Sequence, residues 1–265
     1  MSIKPSDNLI TLIDPENVAS EAFRILRTNV SLKDFDSKLK VINVISTSAQ
    51  ESKSTTVLNL GYVFSQLGKK VLIMDLDLRL PSIHKKLRLK NKYGITDVIA
   101  KTVDFNEVVI HYTQKMDVIL SGTKNPYASE LIQSKAFSKV LDMLRERYDM
   151  VIIDCPPVGL VTDGVITSTL CDGTIMCIAS GRNDKKDLEK TRDLLQQFNV
   201  NILGIVMTRM PVAKKYYNKY GYNKYGYGYG SSGSKKEDKK KEKPKKEDRK
   251  KENKKEEKEK EDSKQ

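Results

Sequence analysis

The chain has 265 residues, is 38% hydrophobic and 31% charged, and carries a net charge of +13, which leaves room for one α/β domain of about 200 residues plus tails. Residues 235–265 hold sixteen Lys/Arg against eleven Asp/Glu, so residues 1–234 keep +8 and are only moderately basic. No segment approaches an uninterrupted apolar stretch of membrane-spanning length, and the first twenty residues lack a sustained apolar run. Secretion and a membrane span are therefore not expected. Cys155, Cys171 and Cys177 are odd in number, lack metal-ligand spacing and sit in or beside apolar runs. They read as buried free thiols of a reducing cytoplasm.

Residues 1–15 read as a loosely ordered lead. From Glu16 to Leu32, Ala19, Ala22, Phe23, Leu26 and Val30 recur at helical spacing, while Glu21, Arg24 and Arg27 fall on the complementary side. That is an amphipathic helix with a charged face. Val41–Ile45 is apolar and β-branched, hence a strand, and it enters a short polar loop, Thr47–Ser52. Lys53-Ser54-Thr55 opens a helix carrying Val57, Leu58, Leu60, Gly61, Phe64 and Leu67, which Gly68 can stop. A second apolar run, Val71–Met74, ends in Asp75-Leu76-Asp77-Leu78-Arg79.

Strand, loop, Lys-Ser, helix, strand and acidic pair follow in the order of a phosphate-binding βαβ unit. Free N–H groups and the positive end of the helix dipole stabilise an anion at the loop. Lys53 would reach the outer phosphates, and the Ser54 hydroxyl would complete the shell of a bound Mg²⁺. The loop departs from the usual G-x-x-x-x-G-K-S/T pattern, because Thr47 and Ser52 occupy its two glycine positions. A Cβ there crowds the phosphates and penalises left-handed backbone angles by roughly 1–2 kcal/mol. Glu51 also puts a negative charge where a triphosphate would lie. The spacing alone leaves two readings open, a nucleotide site and an ordinary βα turn.

Downstream, Ile83–Leu89 reads as a short basic helix, and in Gly94–Ile99 the threonine can cap a further short helix. Met116–Leu120 is a strand, Gly122–Asn125 a loop, and Ser129–Tyr148 one long helix with Leu131, Phe137, Val140, Leu141 and Leu144 on its apolar face. Met150–Asp154 is a buried parallel strand ending on a carboxylate, before Cys155-Pro156-Pro157. A helix over Asp163–Leu170, a strand over Thr174–Ala179, a helix over Lys185–Phe198 and a strand over Ile202–Thr208 complete the pattern. The alternation predicts an α/β fold with a doubly wound, mostly parallel sheet flanked by helices, whose ligands lie at the C-terminal strand edges. Lys53, Asp75, Asp77 and Asp154 all fall at such edges. Tyr216, Tyr217, Tyr220, Tyr222, Tyr225, Tyr227 and Tyr229 then crowd into fourteen residues among Gly, Asn and Lys, a flexible segment without periodicity. Lys235–Gln265 is a disordered mixed-charge tail.

Together these motifs resemble the cytoplasmic bacterial tyrosine kinases of capsular and exopolysaccharide synthesis, built on a Min/Par-type P-loop ATPase fold. Glu21-Ala22-Phe23-Arg24-Ile25-Leu26-Arg27 is similar to the family's E-x-x-R-x-x-R helix of ring assembly. Lys53-Ser54-Thr55 looks like the end of its Walker A motif, Val71–Pro81 like Walker A′, and Val151–Pro157 like Walker B. Gly94–Val98, Ser129–Leu131 and Pro156–Asp163 also resemble family segments. The second lysine that Min/Par ATPases commonly carry five positions before the invariant one is absent, and Ser48 stands there.

The resemblance implies a lead over 1–15, a P-loop tyrosine kinase domain over 16–212 with an oligomerisation helix at 16–32, a tyrosine cluster over 213–234 and the tail over 235–265. It implies ATP and Mg²⁺ as cofactors. Glu51, Ser52, Lys53, Ser54 and Thr55 would bind ATP, with Thr55 on the inner phosphates; Ser54, Asp75 and Asp154 would hold Mg²⁺. Lys53, Asp75, Asp77 and Arg79 would carry catalysis, Asp75 or Asp77 as the base and Arg79 either stabilising transferred charge or pairing with an acidic neighbour. The seven clustered tyrosines would be the phosphoacceptors and Glu21, Arg24 and Arg27 the ring contact. Implied partners are further copies in a ring, a membrane-anchored activator of the polysaccharide co-polymerase type, a cognate tyrosine phosphatase and protein substrates, with recruitment to the inner face of the cell membrane. The expected function is tyrosine autophosphorylation that regulates polysaccharide synthesis and export. Two alternatives are a degenerate P-loop scaffold of the same machinery and a nucleic-acid-associated Min/Par-type ATPase, although nucleic acid is not the expected partner.

Overall fold

The computed structural model describes residues 6–34, 36, 38–182 and 184–210. The tyrosine cluster and the Lys/Glu tail lie outside them. In chain order the elements are α1 (Ile10–Ile13), α2 (Val18–Leu32), β1 (Val41–Ser46), α3 (Lys53–Ser65), β2 (Val71–Asp75), α4 (Ile83–Leu87), α5 (Ile95–Ile99), α6 (Phe105–Val108), β3 (Ile110–His111), β4 (Met116–Ile119), α7 (Ala128–Ile132), α8 (Lys135–Arg147), β5 (Met150–Asp154), α9 (Asp163–Leu170), β6 (Gly173–Ala179), α10 (Lys185–Gln197) and β7 (Ile202–Thr208).

The strands join in the order β3-β4-β2-β5-β1-β6-β7. All pairs are parallel except β3 with β4. Period-two alternation splits each central strand between two cores. Val41, Ile45, Leu72, Met74, Val151 and Ile153 pack under Phe137, Leu141 and Leu144 of α8. Ile42, Val44, Val71, Ile73 and Ile152 pack under Val57, Leu60, Val63 and Phe64 of α3. The centre of the sheet is buried on both faces, which explains its unbroken apolar runs. No helix among the described residues is long and apolar enough to cross a membrane.

The lead is not loose from Ser6 onward. Leu9 is fully buried, and buried Asn59 on α3 accepts from the Thr11 N–H at 3.0 Å and the Thr11 hydroxyl at 2.9 Å. The Asn59 amide donates to the Asn8 carbonyl at 2.9 Å. An isolated four-residue helix has no stability of its own, so tertiary contacts hold it.

The expected helix over Ser129–Tyr148 is two helices. The Ser134 hydroxyl accepts from the Phe137 N–H at 3.2 Å and donates to the Leu131 carbonyl at 2.7 Å, closing α7 and capping α8. Thr96 is not the cap of α5; the Asp97 carboxylate caps it by accepting from the Gly94 N–H at 2.8 Å. Cys155 and Cys177 are buried free thiols, and Cys171 is half-buried. Burial pushes the Cys155 and Cys177 thiols up to about 12, which keeps them protonated and unreactive.

Candidate active site

β1, β2 and β5 end side by side, and the chemistry collects where they stop. Asp75 lies directly opposite Asp154 in the β2–β5 register. A cleft of about 590 Å³ opens over these ends, walled by residues 49–55 on one side and by Asp77, Arg79, Ser82 and Lys86 on the other. Leu80, Pro156, Pro157, Leu160, Val161 and Arg209 complete its lining.

The loop reaches helical geometry despite its missing glycines. Ser52 adopts φ 63° and ψ 21°, the left-handed conformation. The second glycine position is thus occupied by a residue that bears the cost of glycine's backbone angles. Gln50 is left-handed as well, at φ 61°, whereas Thr47 is not. The Thr47 hydroxyl turns away from the loop to donate to Thr191 on α10 at 3.1 Å. Gly159 comes so close to it that a Cβ would lie 2.5 Å from the Thr47 carbonyl oxygen, and the Gly159 N–H donates to that oxygen at 3.1 Å.

Glu51 does not place its carboxylate over the helix end. It is buried, accepting from the Ser48 N–H at 2.9 Å and from the Ala179 N–H at 3.0 Å. The side chain braces the loop against the end of β6, which corrects the expectation that its charge lies on the phosphates. The turn that follows aims the first N–H groups of the 13-residue helix α3 at the cleft, with Lys53 at its start.

The three carboxylates differ in environment. Asp75 is fully buried; one oxygen accepts from the Ser82 and Ile83 N–H groups at 3.1 and 3.0 Å, the other from Asp77 N–H at 3.3 Å. Burial pushes its carboxyl well above the usual range, and the Asp154 charge adds to the effect. Burial lifts Asp154 to about 6, against the opposing pull of Ser54 and Lys53. Asp154 Oδ1 is buried without a hydrogen-bond partner, a state that calls for a missing donor or cation. Asp77 is half-buried and lines the cleft, accepting from the Leu80 N–H at 3.0 Å.

Two adjacent acidic side chains, one orphaned oxygen and the nearby Ser54 hydroxyl form an all-oxygen donor set that fits Mg²⁺. Among the described residues no group of three His, Cys, Asp or Glu forms a protein-only cage.

Arg79 is bound to Asp163, Nε to Oδ2 at 2.7 Å and Nη2 to Oδ1 at 3.2 Å, with the Ser129 hydroxyl on the same carboxylate. Burial raises the Asp163 carboxyl, but the Arg79 and Ser129 hydrogen bonds outweigh it and hold the group below the usual range. The Thr55 hydroxyl accepts from Lys86 Nζ at 3.0 Å, and Ser54 Oγ lies 2.6 Å from Ser82 Oγ. Lys86, Arg209 and Ser82 escaped sequence reasoning. Ser82 and Lys86 lie just past the end of the Val71–Pro81 segment, and Arg209 lies well over a hundred residues from the loop.

Glu21, Arg24 and Arg27 share α2, and none of them lines the cleft. Arg24 pairs with Glu21 at 2.7 Å, and Arg27 donates to the Val63 carbonyl at 3.0 Å. The helix also exposes Val18, Ile25 and Leu32.

Residues 39–191 match the family model of the AAA domain. The chain is 35% identical over 215 residues to the tyrosine-protein kinase YwqD of Bacillus subtilis, covering 81% of this chain and 90% of that protein. The chain belongs to the bacterial tyrosine-protein kinases. Among solved structures, the chimerical protein CapA2B2 matches with a TM-score of 0.74 at 34% identity, over 79% of this chain and 92% of that one. The kinase domain of Escherichia coli tyrosine kinase ETK matches with a TM-score of 0.73 at 26% identity, over 86% of each. The family's α/β fold is thus the one built here, with the Lys53 loop and Asp77 lining one cleft of this kinase and Asp75 and Asp154 buried at the adjoining strand ends.

Proposed function

We propose that this kinase transfers the γ-phosphoryl group of ATP to tyrosine hydroxyls of its own C-terminal cluster, Tyr216 to Tyr229, and thereby regulates capsule or exopolysaccharide synthesis and export. The observation that carries the reading is the juxtaposition, in one cleft, of a helix N-terminus with Lys53 and a half-buried Asp77 beside two deeply buried carboxylates. Phosphoryl transfer depends mostly on positioning and electrostatic stabilisation, and these groups supply both. Bound Mg²⁺ would neutralise phosphate charge, held by Ser54, Asp154 and Asp75. Lys53 and the first N–H groups of α3 orient the phosphate chain. Ser52 and Glu51 act through the backbone, one by its turn and the other by its brace.

Of the two candidate bases, Asp77 is favoured. It faces the cleft, whereas the Asp75 carboxylate is enclosed by backbone N–H groups. A tyrosine hydroxyl titrates near 10, so a carboxylate within hydrogen-bond reach assists the loss of its proton as the oxygen attacks. Arg79, tied to Asp163, holds the β2 end against α9 and acts as a positioning residue.

In this reading the copies assemble through α2 and each tail serves the next copy's cleft. A membrane-anchored activator of the polysaccharide co-polymerase type recruits the kinase to the inner membrane face, and a cognate phosphatase resets it. Each phosphate adds nearly two negative charges to a basic segment, enough to reverse its sign and release the assembly.

Transfer between copies is tested by mixing two full chains, one with all seven clustered tyrosines changed to Phe, the other Lys53→Met. With ATP and Mg²⁺, phosphate is expected on the Lys53→Met chain. Acceptor tyrosines that stay unmodified while wild type labels itself would contradict transfer between copies.

A further inference from the structure

The cleft contains a cationic wall opposite the loop to which the reading above assigns no task. Lys86 sits on α4 between Ile83 and Leu87, both buried, so packing fixes its backbone. Its carbonyl is gripped from the N-terminal lead by the Ser6 hydroxyl and, at 3.2 Å, by the Asn8 side-chain amide. Its ammonium crosses to α3 and donates to Thr55, the third residue of the phosphate-facing helix. Arg209, in left-handed conformation at φ 54°, lines the same cleft.

A half-buried ammonium is expensive unless an anion satisfies it. Burial lowers the Lys86 pKa, the Asp154 charge opposes that, and Arg209 reinforces it. Among the described residues no carboxylate lies within ion-pair distance of Lys86. A neutral hydroxyl holds the ammonium in position without discharging it. Two cations converging on a helix N-terminus match a chain of phosphates.

We propose that Lys86, positioned by Thr55 and seconded by Arg209, is a phosphate ligand of the nucleotide site, binding the phosphate chain from the wall facing the loop. The lead that grips Lys86 then contributes to nucleotide affinity although no residue of it lines the cleft. The inference rests on the nucleotide reading of the cleft.

The test is displacement of a fluorescent ADP analogue by unlabelled ADP on the full chain, without Mg²⁺, at several salt concentrations. One charge-assisted contact supports an expected loss of about tenfold in ADP affinity for Lys86→Gln, with a shallower salt dependence than wild type. Lys86→Arg should restore most of the loss, and Thr55→Val should weaken binding about threefold by releasing the ammonium. Thermal midpoints of the variants separate a folding defect from a binding defect. ADP affinity of Lys86→Gln within twofold of wild type, or a loss with unchanged salt dependence, overturns the role of Lys86 and leaves the kinase reading standing. Wild type that binds no ADP analogue overturns both.

Discussion

Ser52 bears the clearest conflict between a residue and its backbone. Its left-handed angles are those glycine adopts freely, so Ser52→Gly should relieve about 1 kcal/mol of strain, partly offset by the freer unfolded chain. The expected outcome is a raised or unchanged thermal midpoint and severalfold tighter ATP binding. A clear drop in both would mean that the Ser52 side chain holds the loop. Asp154, proposed above as a metal ligand, is a buried carboxylate whose ionised form costs stability in the metal-free protein. Its folded pKa, about 6, lies above the usual carboxylate value. The folded state therefore binds more protons, and this group's contribution worsens as pH rises from about 4 through 6. Asp154→Asn should raise the stability of the metal-free protein at pH 7.5, by on the order of 2 kcal/mol, while abolishing phosphorylation. Unfolding curves at pH 5.5 and 7.5 check the sign, since the gain should shrink at the lower pH. The meeting of Lys53, Ser54 and Asp77 at one cleft was legible because it depends on local spacing. The fate of Glu51 was not, since the Ala179 N–H it binds comes from a strand more than a hundred residues away.

At the scale of elements, patterns with a single buried face read correctly and joints did not. The helix of residues 18–32 emerges from period 3.6, and the central strands from short continuous apolar runs bounded by polar residues. The break at Ser134 is invisible to periodicity, because Phe137, Leu141 and Leu144 continue one stripe while the capping hydroxyl stops the chain before it. Ser134→Ala should cost about 1 kcal/mol in chemical denaturation; no cost would mean that packing alone sets the joint. The lead was illegible for another reason, its order resting on Asn59 in a distant helix. The Arg79–Asp163 bridge joins the β2 end to α9. Because Asp163 is held below the usual range, its stabilisation is present above the unfolded pKa and is lost as pH falls through the folded one. Asp163→Asn should therefore lower the thermal midpoint more at pH 7 than at pH 3. An equal loss at both would assign the bridge's contribution to packing.

For the whole molecule, the doubly wound, mostly parallel class of the sheet and the collection of carboxylates at one edge were readable because parallel α/β topology sends every strand's C-terminal end the same way. What the sequence could not display was which wall a surface lysine joins, and Lys86 reached the cleft only through tertiary packing. Assembly belongs to this scale as well. Since Arg27 ties α2 to the Val63 carbonyl within one copy, Glu21→Ala with Arg24→Ala is the cleaner probe. Light scattering should show a smaller mass than wild type, and an unchanged mass would refute the α2 contact. The central claim is that a loop without glycines still supports catalysis. Its most direct measurement is phosphotyrosine mapping by mass spectrometry on the purified full chain after incubation with Mg·ATP, beside Lys53→Met and with the cytoplasmic segment of a membrane partner added. The account predicts phosphate on Tyr216–Tyr229 in wild type alone. Absence of phosphate under every condition, together with no ATP binding by calorimetry, would contradict it and leave a scaffold.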